Sequence, residues 1–167
     1  MATVKQDINI LEALLPSTNP AAFKTVDGTN FPVPSLAFDA ATAETVYFPF
    51  RAVNYGSGNV TARVQWYADT ASADGVAFSG ALAAITPNSD SQNIEDDAFD
   101  TATTATDSHI GTTGQRLHEF TIEITNVDSI AAGDWCMLKL TREVANGSDT
   151  MTGDCLVCGL QIEYSDT

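Results

Sequence analysis

ETVYFPFRAVNYGSGNVTARVQWYA, residues Glu44 to Ala68, alternates apolar and polar side chains in two runs separated by the turn formers Asn54-Tyr55-Gly56-Ser57-Gly58-Asn59. Val46, Phe48 and Phe50 share one side of the first run. Val60, Ala62, Val64, Trp66 and Ala68 share one side of the second. A period of two puts each set on one face of a sheet. The reading expects two strands joined as a hairpin. Pro49, on the face opposite the phenylalanines, lacks an N–H for the ladder and marks an edge position or a bulge.

The same plan repeats along the chain. Leu36 and Phe38 open a short strand, and Val76, Phe78, Gly80 and Leu82 alternate in GVAFSGALAAI. TATTATDS, residues 101–108, has high β-propensity and no large side chain, as suits an edge strand. Phe120, Ile122 and Ile124 face in while Thr121, Glu123 and Thr125 face out. Cys136, Leu138 and Leu140 share a face, and Leu156, Cys158, Leu160, Ile162 and Tyr164 alternate down the last strand. Val127 and Ile130 are expected to tuck under one end. These runs predict an all-β fold: an antiparallel, jelly-roll-like β-sandwich of about eight strands over residues 34–167.

Residues 1–33 read differently, as an extended N-terminal arm. Ile8, Ile10, Leu11, Leu14 and Leu15 form a short apolar segment ending at Pro16, with Asp7 as its cap. STNPAAFKTVDGTNFPVP follows, irregular and rich in turn formers. Such an arm either covers its own sheet or reaches a neighbouring subunit.

Charge narrows the partners. Seven Lys and Arg against 22 Asp and Glu give a formal net charge of −15, a surface that repels nucleic acid and anionic membranes. Its plain meaning is solubility; the sharper one is a protein displayed in salty water or docked on a basic partner. No apolar run approaches the roughly 20 residues of a membrane helix. Gln6, Asp7, Asn9 and Glu12 interrupt the N-terminal segment, so no signal h-region is expected, and the chain reads as soluble and made in a cytoplasm.

Chemistry is sparse. Cys136, Cys155 and Cys158 are odd in number, against a disulfide framework. The Cys155/Cys158 spacing matches CxxC, but positions i and i+3 of a strand face opposite sides, and these cysteines read as strand residues. His109 and His118 fall in no metal or triad spacing and read as structural or solvent-facing. Asp96, Asp97 and Asp100 cluster, as do Asp149 and Asp154, without the D-x-D-x-D-G spacing of a calcium loop. The sequons at Asn59 and Asn146 read as turn residues, and Tyr47, Tyr55, Tyr67 and Trp135 are too scattered to mark a carbohydrate platform. No cofactor, metal or catalytic residue is expected.

Several segments resemble structural proteins of tailed bacteriophages: Val46 to Arg51, Gly75 to Phe78, Asp97 to Ala102, Phe120 to Asp134, and Met151 to Asp154 before Leu156 to Tyr164. The resemblance covers roughly residues 45–164 and lies in strands and turns. It implies a jelly-roll virion domain, commonly a homotrimer: a capsid cement or decoration protein on the major capsid protein or other virion proteins, or a tail- or fibre-associated module that binds a receptor glycan. It places the chain in the virion and transfers no functional residue. The contact surface expected from the sequence comprises Ile8, Leu11, Leu14, Leu15 and Phe23 of the arm, with Tyr47, Arg51, Arg63 and Tyr67 as one outward face.

Overall fold

A computed structural model describes residues 2–89 and 91–167. Among these residues ten strands form: β1 (Thr3–Ile8), β2 (Ala22–Asp27), β3 (Pro32–Phe38), β4 (Thr45–Arg51), β5 (Val60–Tyr67), β6 (Gly75–Ile85), β7 (Thr103–Ser108), β8 (His118–Ile124), β9 (Trp135–Arg142) and β10 (Cys155–Ser165). The one helical piece among them is a 3₁₀ turn, Ile10–Glu12, whose N-cap is Asn9 rather than Asp7. A six-stranded sheet runs β2-β3-β10-β5-β8, with β1 also on β10; a four-stranded sheet runs β4-β9-β6-β7. All strand pairs are antiparallel. The architecture is a jelly-roll β-sandwich, as the period of two predicts.

The core is the sum of the inward-facing sets. Val46, Phe48 and Phe50 on one sheet, and Val60, Ala62, Val64 and Trp66 on the other, join one continuous cluster. Phe38 meets Phe78 edge-on across it, with ring centroids 5.1 Å apart. A Cβ on Gly80 would lie 3.2 Å from Ile124 Cδ1 and 3.3 Å from Ile122 Cγ2, so the bare glycine lets the two sheets approach at that point. Ile130 is buried and Val127 packs against the core, closing one end.

The structure corrects three readings. First, β4 and β5 are not a hairpin. β4 pairs only with β9 and β5 lies between β10 and β8, so the Asn54–Asn59 turn carries the chain from one sheet to the other. Alternation reports which face a residue takes, not which strand lies beside it. Second, β10 does not alternate without interruption. A bulge between Val157 and Gly159 shifts its register; Cys155 and Val157 face the core before it, Leu160, Ile162 and Tyr164 after it, while Leu156 and Cys158 lie in a separate cluster on the outer face. Third, residues 3–8 and 22–27, expected within an extended arm, are strands of the six-stranded sheet.

β1 completes the edge of β10 from Thr3↔Ser165 to Ile8↔Leu160. Gln6 Nε2 donates to Arg51 O at 2.9 Å and to the Tyr164 hydroxyl, and Lys5 Nζ reaches Glu163 at 2.7 Å. Val4 and Ile8 pack on the core. Deleting residues 1–9 should therefore lower stability by about 2 kcal/mol or more, the worth of one or two buried aliphatic side chains. The bared edge of β10 should also promote association. Urea unfolding and size-exclusion chromatography of the truncated chain check this; an unchanged midpoint with a single unchanged elution peak would refute it.

Candidate functional site

The nine residues expected to form a contact surface do not come together. Tyr47 and Arg51 lie on the outer side of the four-stranded sheet, whereas Arg63 and Tyr67 lie on the outer side of the six-stranded sheet. Because β4 and β5 belong to opposite sheets, their outward faces point away from each other. Leu14 joins Tyr47 through a two-bond bridge along the edge of β4 opposite β9, and Leu11, Leu14 and Leu15 are exposed beside it. Ile8 packs inward, and Phe23 is exposed on β2 at the far edge of the other sheet. Tyr47 packs at a tilt against Phe99, with centroids 5.6 Å apart.

What the fold assembles instead is a two-part surface on the outside of the six-stranded sheet. One half is an apolar groove of about 600 Å³ with Val26, Val33, Tyr67 and Cys158 as its floor and Phe31 and Leu117 as its lips. Phe31 is 68% exposed and Leu117 63%, large apolar groups left open to solvent. Asp27, Thr29 and Gln115 supply polar atoms around it. The Tyr67 hydroxyl is buried beside the Ser35 hydroxyl, which itself donates to Lys24 O, and has no hydrogen bond of good geometry. Burial pushes the Tyr67 phenol above its ordinary pKa, so it stays protonated and able to donate.

The other half is a polar hollow of about 280 Å³ lined by Asp7, Arg63, Gln65, Glu119, Gly159 and Gln161. The halves meet where Cys158 adjoins Gly159 and Gln65 precedes Tyr67 by two residues on the same strand face. A Cβ at Gly159 would come within 2.6 Å of Gln65 Oε1 and 3.2 Å of Gln65 Cβ. The glycine thus lets Gln65 lie flat across the sheet. From there Gln65 Nε2 donates to Glu119 Oε2 at 3.0 Å. Arg63 Nη1 donates to Glu119 at 2.9 Å, and its Nε and Nη2 donate to the two oxygens of Glu163 at 3.2 and 3.3 Å. Gln161 Nε2 donates to Asp7 at 2.6 Å. The result is a row of planar amide, guanidinium and carboxylate groups fixed on neighbouring strands.

Electrostatics limit what this row can do. Hydrogen bonds from Gln65 and Arg63 hold Glu119 below the usual carboxylate range, and those from Arg63 and Lys5 do the same for Glu163. A glycoside-cleaving pair needs one carboxyl held protonated near neutrality. Both of these are held ionised, so the row does not supply a general acid.

The other chemistry-bearing groups fall elsewhere. Cys155 and Cys136 are fully buried; burial pushes the Cys136 thiol up to about 12 and the Cys155 thiol well above its ordinary value. Cys158 faces the opposite way, so the CxxC spacing brings no thiol pair together. Burial, then the neighbouring Asp97, Asp100 and Asp134, raises Asp128, which also accepts from Ala84 N at 2.7 Å. Among the described residues no three His, Cys, Asp or Glu side chains converge as metal ligands. Alternation along β5 puts Gln65 on the outward face with Arg63 and Tyr67, but reading the sequence alone missed Gln161, Phe31 and Leu117. Gln161 lies at an outward position of β10; Phe31 and Leu117 lie in loops, where alternation carries no signal.

No family model matches the chain, and no curated protein matches it significantly. Solved structures do. A carbohydrate-binding module of the CBM28 type, specific for non-crystalline cellulose, aligns with a TM-score of 0.53 at 15% identity, covering 92% of this chain and 89% of that one. TmCBM27, a carbohydrate-binding module that recognises mannan, aligns with a TM-score of 0.51 at 9% identity, covering 99% of both chains. At these identities the likeness is one of fold: the chain shares the jelly-roll β-sandwich of carbohydrate-binding modules.

Proposed function

We propose that this chain is a non-catalytic, glycan-binding jelly-roll module that holds an extended oligosaccharide across the outer face of its six-stranded sheet. The observation that carries the reading is the continuity of the two halves of that face. Apolar walls and an exposed aromatic suit the C–H faces of pyranose rings, and fixed amide, guanidinium and carboxylate groups suit neighbouring hydroxyls. Between Leu156 and Glu163 the surface runs about 23 Å at strand rise, long enough for several linked rings. The modules that share this fold bind cellulose or mannan, which raises the prior for a glycan without naming one.

Charge selects the ligand class. Arg63 and Lys5 are already paired with Glu119 and Glu163, which leaves Asp7 and Asp27 uncompensated on a chain of net charge −15. The face therefore suits neutral glycans and repels uronate or sulfated ones. Isothermal titration with cellotetraose, mannotetraose and xylotetraose, against tetragalacturonate, tests this. We expect one or more neutral chains to bind with a dissociation constant on the order of 10–1000 μM and the polyuronate not to bind. Silence from all three neutral chains, or preference for the polyuronate, would overturn it.

The sequence resemblance supplies the setting: a tail- or fibre-associated virion module, assembled as a homotrimer, that contacts a host-surface glycan. The exposed Leu11, Leu14 and Leu15 beside the β4 edge favour a second reading, a cement subunit packed on a phage head. The fold likeness supports the glycan reading better, because nothing in it bears on a capsid.

A further inference from the structure

Two histidines bracket the loop that builds one wall of the groove. Residues 110–117 connect β7 to β8, with His109 at the start and His118 at the end. The loop presents Gln115 and Leu117 to the groove. Its own anchors are few: His109 N donates to Asp74 O at 2.9 Å, and Gln115 N to Ala68 O at 2.7 Å. A weaker bond joins Gln115 Nε2 to Asp69 at 3.3 Å. Gln115 itself sits at φ 58°, a left-handed conformation that the loop must hold against its steric cost.

The imidazoles pack on each other and on Trp66. Their centroids are 4.8 Å apart, His118 stacks on the indole at 4.8 Å, and His109 meets it edge-on at 6.4 Å. Trp66 Nε1 donates to Asp107 Oδ2 at 2.9 Å, and Asp107 Oδ1 accepts from Ser108 N at 2.8 Å. His109 Nδ1 accepts from Gly111 N at 3.1 Å. That bond requires a lone pair on Nδ1, so in the neutral ring the proton sits on Nε2. The Nε2 atoms of both histidines are buried and without partners.

We propose that the His109–His118 pair is an acid-operated latch on the groove loop: taking up a proton at His118 breaks the stack, frees residues 110–117, and withdraws Gln115 and Leu117 from the groove wall. Ligand release by this route rests on the glycan reading; the latch does not.

The packing explains why a proton is disruptive here. A cation at His118 would lie beside His109, whose Nε2 already carries hydrogen and cannot accept. The indole face and Asp107 favour the charge, the carboxylate while also accepting from Trp66 Nε1 and Ser108 N. Glu119, next in sequence, points to the opposite side of the sheet toward Gln65 and Arg63. Burial, followed by the charge of His109, accordingly lowers the His118 pKa below 6.5, with Asp107 opposing. The sign follows from linkage. Because the closed form binds this proton less readily than the open form, the contribution of the neutral stack is complete above pH about 6.5 and is lost as pH falls below it.

Hydrogen exchange on the full chain tests the latch. After correction for intrinsic rates, protection of amides 110–117 should fall about tenfold or more between pH 7.5 and 5.0, while β10 amides change far less. In His118→Gln the loop should lose this pH dependence. Should that variant fail to fold, the His118 ring resonances of the wild-type chain decide: a titration midpoint below 6.5 supports the latch, and one at or above it overturns it. A loop that loses no more protection than β10 also overturns it. If cellotetraose binds at pH 7.5, its affinity should drop about tenfold at pH 5.0 in parallel. Loop opening without binding at either pH would support the latch and remove the groove reading.

Discussion

Arg142→Ala should lower the unfolding free energy by about 3–5 kcal/mol, the range for breaking a buried ion pair by removing one partner. Arg142 has 0% of its surface exposed and follows Cys136, Leu138 and Leu140 on the inward side of β9. All five of its N–H donors are used. Nε and Nη2 donate to the two oxygens of Asp149 at 3.0 and 2.9 Å, Nη1 to Phe38 O and Gly153 O at 2.9 and 3.0 Å, and Nη2 also to Met151 O at 2.9 Å. One guanidinium thus ties β9 to the end of β3 and to the 146–153 loop across the mouth of the sandwich. Truncation orphans three carbonyls and a buried carboxylate, which also accepts from Ala77 N. Asp149→Asn should cost a comparable amount, because it leaves the guanidinium unpaired; Arg142→Met should cost less, since it fills the volume. Against a total stability of about 5–15 kcal/mol, that loss is from about a fifth to the whole of what holds the fold. Urea unfolding with an unchanged m-value reads the difference directly; a loss under about 1 kcal/mol would show that the network is dispensable.

Arg142 also shows where alternation stops being readable. The inward set of β9 runs Cys136, Leu138, Leu140, Arg142, and a charged residue at the fourth place looks like the strand leaving the core. Only the acceptors of two other segments, 7 to 104 residues away in sequence, make that position a buried one. β1 was obscured in the same way. Val4, Gln6 and Ile8 share a face, and Gln6 interrupts the apolar pattern because its partners, Arg51 O and Tyr164, lie far along the chain. β2 has five of its six residues exposed and therefore no alternation to detect.

The strands with a dry face were legible because burying that face is what stabilises them. Sheet membership was not, since the Glu44–Ala68 stretch has the same alternation whether its strands pair or face each other across the core. The bulge at Cys158–Gly159 was hidden for a related reason: Leu156 and Cys158 are apolar on the outer face, so the pattern reads as unbroken. Of these two, Cys158 is part of the groove floor. Cys158 was thus read as core, whereas Arg63 and Tyr67, one from each half of the candidate site, were expected on an outward contact face.

Two single substitutions should separate binding from stability at that site. Phe31 is 68% exposed and lies in a loop, so Phe31→Ala should change stability by no more than about 0.5 kcal/mol. If the ring is a stacking platform for a sugar, the same change should weaken neutral-glycan binding by about tenfold or more, as loss of an aromatic anchor does. Tyr67→Phe makes the sharper case. Its hydroxyl is buried beside Ser35 without a hydrogen bond of good geometry, a state that costs free energy in the unliganded protein. Removing it should leave stability unchanged or raise it by up to about 1 kcal/mol. If a bound glycan draws the ring outward so that the phenol donates to a sugar hydroxyl, the variant loses that bond, and affinity should fall by about tenfold. Loss of affinity together with gained or equal stability is a combination a purely structural tyrosine cannot give. Calorimetric titration of both variants with the best neutral oligosaccharide, beside their urea unfolding curves, decides it. Unaltered affinity in both would mean the ligand does not use this groove, and a large stability loss in Tyr67→Phe would mean the hydroxyl holds the fold rather than the sugar.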